Sequence, residues 1–329
     1  MKYKIIAIIG SLLIAANGLM AAEVKLAQTG FQFLSVVSDA KATAMGEAMT
    51  TIESGSGSLF FNPAGMASQE EMFDASFSLN SWIADIDHTT FSLSYRPSQG
   101  QWGVFGVSLQ HVNYGELQGT MVWANPDGYI KTGMFSPSAL ALGFGYAKKI
   151  TDRFSIGAHV KSCHQYLGEA VVPTTADSLE MKKNIADIVG FDFGTIFKTG
   201  FKSLAFGMSL KNFSSEVKYE EEGFLLPMIF TMGISMNLMD FVENPPFDQA
   251  LIFSIDATHP RAHPEQVKVG VDYQLLKMIS LRCGYVSDND ESGMSFGAGF
   301  NAYKVAFDYA YTPFGVFDKV QKITTRVSF

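Results

Sequence analysis

The sequence predicts an all-β protein: an antiparallel transmembrane β-barrel of about fourteen strands, with an N-terminal hatch or plug segment in its lumen. Three observations predict it. The chain begins with the layout of a secretory signal. Most of the remaining chain alternates apolar and polar residues over strand-length segments. The links between those segments alternate between short and long.

The N-terminus comes first. Lys2 and Lys4 precede the apolar run Ile5–Ile14, and small residues continue as far as Ala21 and Ala22, so residues 1–22 read as a cleavable signal peptide. The cleavage site is imperfect, because Leu19 or Met20 stands where a small residue is preferred. Of 329 residues, 17% are charged and the formal net charge is −8. That acidic balance, with no long Lys/Arg run, excludes a nucleic-acid partner. Beyond the signal no apolar stretch reaches the roughly 18 residues of a membrane helix. The best candidate, 224–239, is interrupted by Pro227 and has period two, so it reads as a strand. Cys163 and Cys283 are far apart and read as free thiols, not a disulfide framework.

Residues 72–329 form the barrel in this reading. The alternation is cleanest near the end, where Met294, Phe296, Ala298 and Phe300 interleave with Ser295, Gly297, Gly299 and Asn301. Period two means one apolar and one polar face. Strand-like segments fall near 72–80, 88–96, 101–110, 137–150, 152–164, 186–198, 203–213, 226–239, 248–258, 265–275, 277–286, 293–301, 303–312 and 319–329. Links at 97–100, 150–151, 199–202, 275–276 and 301–302 are tight, whereas 111–136, 165–185 and 214–225 are long. Short periplasmic turns and longer external loops produce that asymmetry; only 240–247 departs from it.

The inferred inner face carries Asp192, Lys268, Asp272, Arg282, Asp308 and Arg326, together with Lys198, Lys211, Asp256, Lys304 and Lys322. Charges of both signs suit a hydrated or plugged lumen and are costly toward lipid. Inner glycines such as Gly157, Gly194, Gly270 and Gly297 leave room for something inside. Tyr95, Tyr146, Tyr273, Tyr285, Tyr303 and Tyr311 fall near strand ends on the outer face, as interfacial girdles do.

Residues 23–71 lack the strand pattern. Ser38–Gly46 reads as a short capped helix stopped by glycine, Thr50–Ser58 is rich in turn formers, and Asn62-Pro63 favours another turn. A compact segment of this size fills a lumen that fourteen strands otherwise leave open.

The phrase FLSVVSDAKATAMGEAMTTIESGSGSLFFNPAGMAS in this segment resembles the N-terminal signature of the PorV/PorQ family, within the wider FadL-like group of outer-membrane proteins. Its most specific parts are Ala-Met-Gly and the later Phe-Asn-Pro-Ala-Gly. The resemblance implies a bacterial outer-membrane barrel with an internal hatch, and Asn62, Pro63, Ala64 and Gly65 stand at the hatch motif. It also implies a type IX secretion component that binds or shuttles exported proteins at the cell surface. Its partners would then be secreted cargo, other type IX components and outer-membrane lipid.

Chemistry-bearing residues add no enzyme. His259 and His263 lie in a proline-broken loop without further ligands, so no metal site is expected. Cys163 and His164 are strand neighbours that point to opposite faces. Asp288–Glu291 lacks the spacing of a calcium loop. No catalytic residue and no cofactor is assigned. Two functions remain. In the secretion reading, the external loops recognise partners, with Tyr114, Trp123 and Tyr129 as candidate contacts. The alternative is a FadL-like channel for uptake of hydrophobic small molecules. A mixed-charge lumen lines an apolar pocket poorly, which favours secretion.

Overall fold

The computed structural model describes residues 29–175, 178–218, 223–243, 245, 247–288, 293–315 and 319–329. The signal-peptide segment lies outside the described residues. In chain order the strands are β1 (Phe73–Ser81), β2 (Asp87–Tyr95), β3 (Val104–Asn113), β4 (Leu117–Val122), β5 (Tyr129–Phe135) and β6 (Ser138–Thr151). They continue as β7 (Phe154–Thr175), β8 (Ser178–Lys198), β9 (Ala205–Ser214), β10 (Val217–Lys218), β11 (Gly223–Phe224) and β12 (Ile229–Asn237). The last are β13 (Gln249–Pro260), β14 (Gln266–Leu275), β15 (Ile279–Val286), β16 (Met294–Ala302), β17 (Val305–Pro313) and β18 (Lys319–Ser328).

Fourteen of these close into one antiparallel barrel, and β4–β5 and β10–β11 form separate hairpins. Closure joins the ends of the chain, with Ala75 of β1 opposite Val327 of β18. Closure also removes the edge strands that lipid cannot satisfy. Alternation sets the two faces. Along β1, Phe77 and Leu79 are exposed on the outer face, while Asp74, Ser76, Ser78 and Asn80 are buried inside. The same parity puts Phe144, Phe193, Met208, Leu281, Phe296 and Phe307 outside.

All three long links carry strand structure. Residues 165–185 are not an open loop: β7 and β8 remain paired as far as Thr175 opposite Ser178. β7 has 22 residues and β8 has 21, well beyond the ~9–11 that cross a bilayer, so the pair projects from the external rim. The register shifts between Tyr166 and Glu169, where Gly168 adopts φ 109°. Residues 111–136 contain the β4–β5 hairpin, and 214–225 contain β10–β11.

The segment before the barrel runs through 3-10 turns at Gln32–Ser35, Gly55–Phe60 and Pro63–Ser68 and one short helix, α1 (Ala40–Ala44). Asp39 caps α1 by accepting the Ala42 N–H at 2.7 Å. The helix stops at Gly46, whose φ of 57° suits glycine. Ala40, Ala42 and Ala44 of the helix and Met45 after it are fully buried.

Candidate functional site

The interior begins where small residues of the wall meet the N-terminal segment. An added Cβ on Gly284 would stand 1.9 Å from the Gly46 nitrogen, and one on Gly270 would stand 2.4 Å from the Met45 carbonyl oxygen. Across the barrel, a Cβ on Gly157 would meet the Pro63–Ala64 backbone at 2.4 Å. Asn62 is the hub of that contact. Its Oδ1 accepts the Ala64 N–H at 3.1 Å, and its Nδ2 donates to the Thr50 carbonyl at 2.7 Å and the Thr195 carbonyl at 3.1 Å. Pro63 opens the 3-10 turn, where its missing N–H costs nothing. Pro63, Ala64 and Gly65 are all buried.

Most of the inward charges are held by ion pairs or hydrogen bonds, with one another or with this segment. Asp192 lies 2.8 Å from the Lys161 ammonium and 2.9 Å from His159 Nδ1, and it also accepts the Asn212 N–H at 2.7 Å. Asn212 sits at a β-bulge with φ 60°, a conformation asparagine tolerates better than most residues. Its side chain accepts from Lys161 at 2.6 Å and donates to the Pro227 carbonyl at 2.8 Å. Arg282 bridges Asp272 at 3.1 Å and Asp308 at 2.5 Å. Lys268 reaches Glu47 of the N-terminal segment at 2.6 Å. Burial opposes the charge on Glu47, but Lys268 outweighs it and holds the carboxyl below its ordinary range. Asp256 accepts both the N–H and the hydroxyl of Thr50, at 2.9 and 2.7 Å. Lys322 donates to the Val37 carbonyl and lies over the Trp82 ring at 5.2 Å. Arg326 lines a cavity at the turn-bearing end.

An apolar layer closes the external side of this polar interior. Phe31, Phe33 and Leu34 of the N-terminal segment pack with Val112, Ala141, Cys163, Ile188 and Leu226 of the wall and external links. Tyr114 packs against this cluster and is half-buried. Trp123 and Tyr129, on the β4–β5 hairpin, are about half exposed. The N–H of Gly30 donates to the Leu225 carbonyl at 3.2 Å and ties the layer to the loop beside it.

Beside the layer, an outward-opening vestibule of about 680 Å³ is walled by Trp82, Met228, His263, Met294 and Phe314, with Glu47 and Lys268 at its floor. Beneath the layer, between Leu34, Phe61, Gln110 and Lys161, the free space falls to about 40 Å³, little more than one water. Residues of the N-terminal segment and of the wall together line this space.

His259 pairs with Glu265 at 2.8 Å, and His164 pairs with Asp187 at 2.7 Å, while Cys163 is buried on the opposite face of β7. No group that could hold a metal ion occurs among the described residues. Of Asp288–Glu291, only Asp288 lies within them. His159, Lys161, Asn212 and Glu47 were not among the residues singled out from sequence. Counting parity outward from Gly157 would have put His159 and Lys161 on the inner face.

A closed fourteen-stranded barrel with an apolar outer belt and a polar interior is a bacterial outer-membrane protein. Its fold is that of FadL-like barrels. It is similar to the Ralstonia pickettii toluene transporter TbuX, with a TM-score of 0.58 and 12% identity over 88% of this chain and 98% of that one. The Pseudomonas putida toluene transporter TodX gives 0.58 and 12%, over 93% and 98%. A Pseudomonas aeruginosa FadL homologue gives 0.56 and 13%, over 89% and 98%. No family model and no curated protein matches the chain. At these identities the likeness is one of fold.

Proposed function

We propose that this protein is an outer-membrane channel for hydrophobic small molecules, held closed by the N-terminal segment acting as a hatch. The apolar layer formed by Phe31, Phe33 and Leu34 with Ile188 and Leu226 carries the reading. A water-filled pore has no use for a greasy layer across a lumen that is otherwise polar, whereas an apolar solute gains free energy there, ~25 cal/mol per Å² of apolar surface removed from water. The vestibule outside it has the volume of a small-molecule site. Two of the solved structures that share the fold are toluene transporters.

The mixed-charge lumen, which spoke for secretion, has a different use. Lys268, Asp256 and Lys322 hold the hatch, Lys161 pairs with Asp192, and Arg282 pairs with Asp272 and Asp308, so few of these charges line a solute path. The test is uptake of a radiolabelled alkylbenzene and of a long-chain fatty acid by cells lacking the gene. The reading expects a fall in at least one, restored by the wild-type gene; unchanged uptake of both would sink it. Surface-protein profiles of the same cells test the secretion reading, which expects cargo trapped in the periplasm.

A further inference from the structure

At the end of the barrel that carries the short turns, a cavity of about 210 Å³ lies between α1 and strands β14–β18. It meets a second, of about 290 Å³, through Asn301, Ala306 and Arg326. The short turns mark this as the periplasmic end. Four cationic side chains line the first cavity: Lys41, Lys277, Arg282 and Arg326.

Their partners differ. Arg282 is held by Asp272 and Asp308, and Lys277 by Asp248 at the exposed rim, 3.2 Å away. Lys41 and Arg326 make no hydrogen bond or ion pair among the described residues, unlike Lys161, Lys268 and Lys322 elsewhere in the lumen. Of the three nearby carboxylates, Asp272 and Asp308 are held by Arg282, and Asp39 accepts the Ala42 N–H. Burial first, and then the neighbouring Arg282 guanidinium, push the Lys41 ammonium below its ordinary range. Lys41 and Arg326 are both partly withdrawn from water, where cations are ordinarily paired, so this pair leaves room for a counter-ion.

We propose that this cavity is a periplasmic binding site for a small oxyanion, inorganic phosphate or a water-soluble phosphate monoester, held between Lys41 and Arg326. A guanidinium fork and a mobile ammonium together match a tetrahedral oxyanion. Ser280 and Asn301 on the same wall supply neutral donors. The volume equals roughly seven waters, enough for phosphate with part of its hydration shell. The wall of the barrel stands between the site and the bilayer, so a phospholipid headgroup does not reach it. The site is independent of the solute that the channel carries. An anion here would also brace α1, through Lys41, against β18.

Titration calorimetry of the full-length protein in detergent, with inorganic phosphate in low-chloride buffer, tests the site. Saturable binding is expected, weakened on the order of tenfold by Lys41→Gln or Arg326→Gln, the loss of one charge-assisted contact. Lys202→Gln, in the turn between β8 and β9, should leave it unchanged. Absence of saturable binding, or binding untouched in the Lys41→Gln/Arg326→Gln double variant, overturns the proposal. If those variants fail to form a barrel of shifted gel mobility, the wild-type protein decides. Its thermal midpoint must rise with phosphate at constant ionic strength, and a flat response overturns the site.

Discussion

Asn62 and Gly194 stand so close that a Cβ on residue 194 would lie 1.8 Å from the Asn62 Oδ1. The missing side chain on β8 is what lets the turn at Asn62 seat against the wall. Gly194→Ala must displace either the turn or the strand, and overpacking of this kind costs ~1–3 kcal/mol. The expected outcome is a lower denaturant midpoint together with a higher ion conductance in planar bilayers, because the hatch loosens. Gly57→Ala is the control: its added Cβ would find nothing closer than Ser54 Cβ at 3.9 Å. Equal conductance in the two variants would refute the seating role.

Breaking the buried Asp192 cluster should be more costly than removing it. Lys161→Met leaves the Asp192 carboxylate with His159 and the Asn212 N–H but no full counter-charge, and breaking such a pair costs ~3–5 kcal/mol. The double variant Lys161→Met/Asp192→Asn is expected to recover much of that loss. Urea unfolding in lipid vesicles measures both, and additive losses would show that the two side chains act separately.

The barrel was legible because lipid and lumen impose opposite demands on successive residues, so parity alone carried strand number, faces and links. Leu281 and Arg282 illustrate it: neighbours in sequence, one faces lipid and the other bridges Asp272 and Asp308 inside. Legibility failed where that contrast ends. Past the rim, β7 and β8 have water on both sides, so Ala170 and Lys182 pair without the apolar-outside signature. The hatch contacts were illegible for another reason. Asn62 meets Thr195, and Glu47 meets Lys268, across long separations that leave no local pattern. The packing of Tyr114 was illegible because the cluster it meets, Phe31 and Leu226 included, comes from segments distant in sequence.

Leu281 gives a direct measure of the lipid face. It is exposed on the outer surface near the middle of β15. Leu281→Arg is expected to cost ~2–4 kcal/mol, the value for a cation near the bilayer midplane. Folding into vesicles of increasing acyl-chain length should amplify the defect. A loss under about 1 kcal/mol, the value found near the interfaces, would place residue 281 at the rim instead.

The apolar layer yields the prediction closest to transport. Phe31 is fully buried, with its ring 6.1 Å from those of Phe33 and Phe224. Phe31→Ala removes a large side chain from the layer, a change that costs ~3–5 kcal/mol in a well-packed core. The backbone link from Gly30 to Leu225 does not depend on that ring, so the segment should remain seated while the layer thins. The expected result is faster entry of an alkylbenzene into proteoliposomes, with little change in the passage of a charged solute such as glutamate. The selectivity comes from Lys211 and the Asp192 cluster, which lie below the layer and still close the polar route. If both solutes enter faster to the same degree, the layer is a structural part of the hatch and not the barrier that chooses an apolar solute.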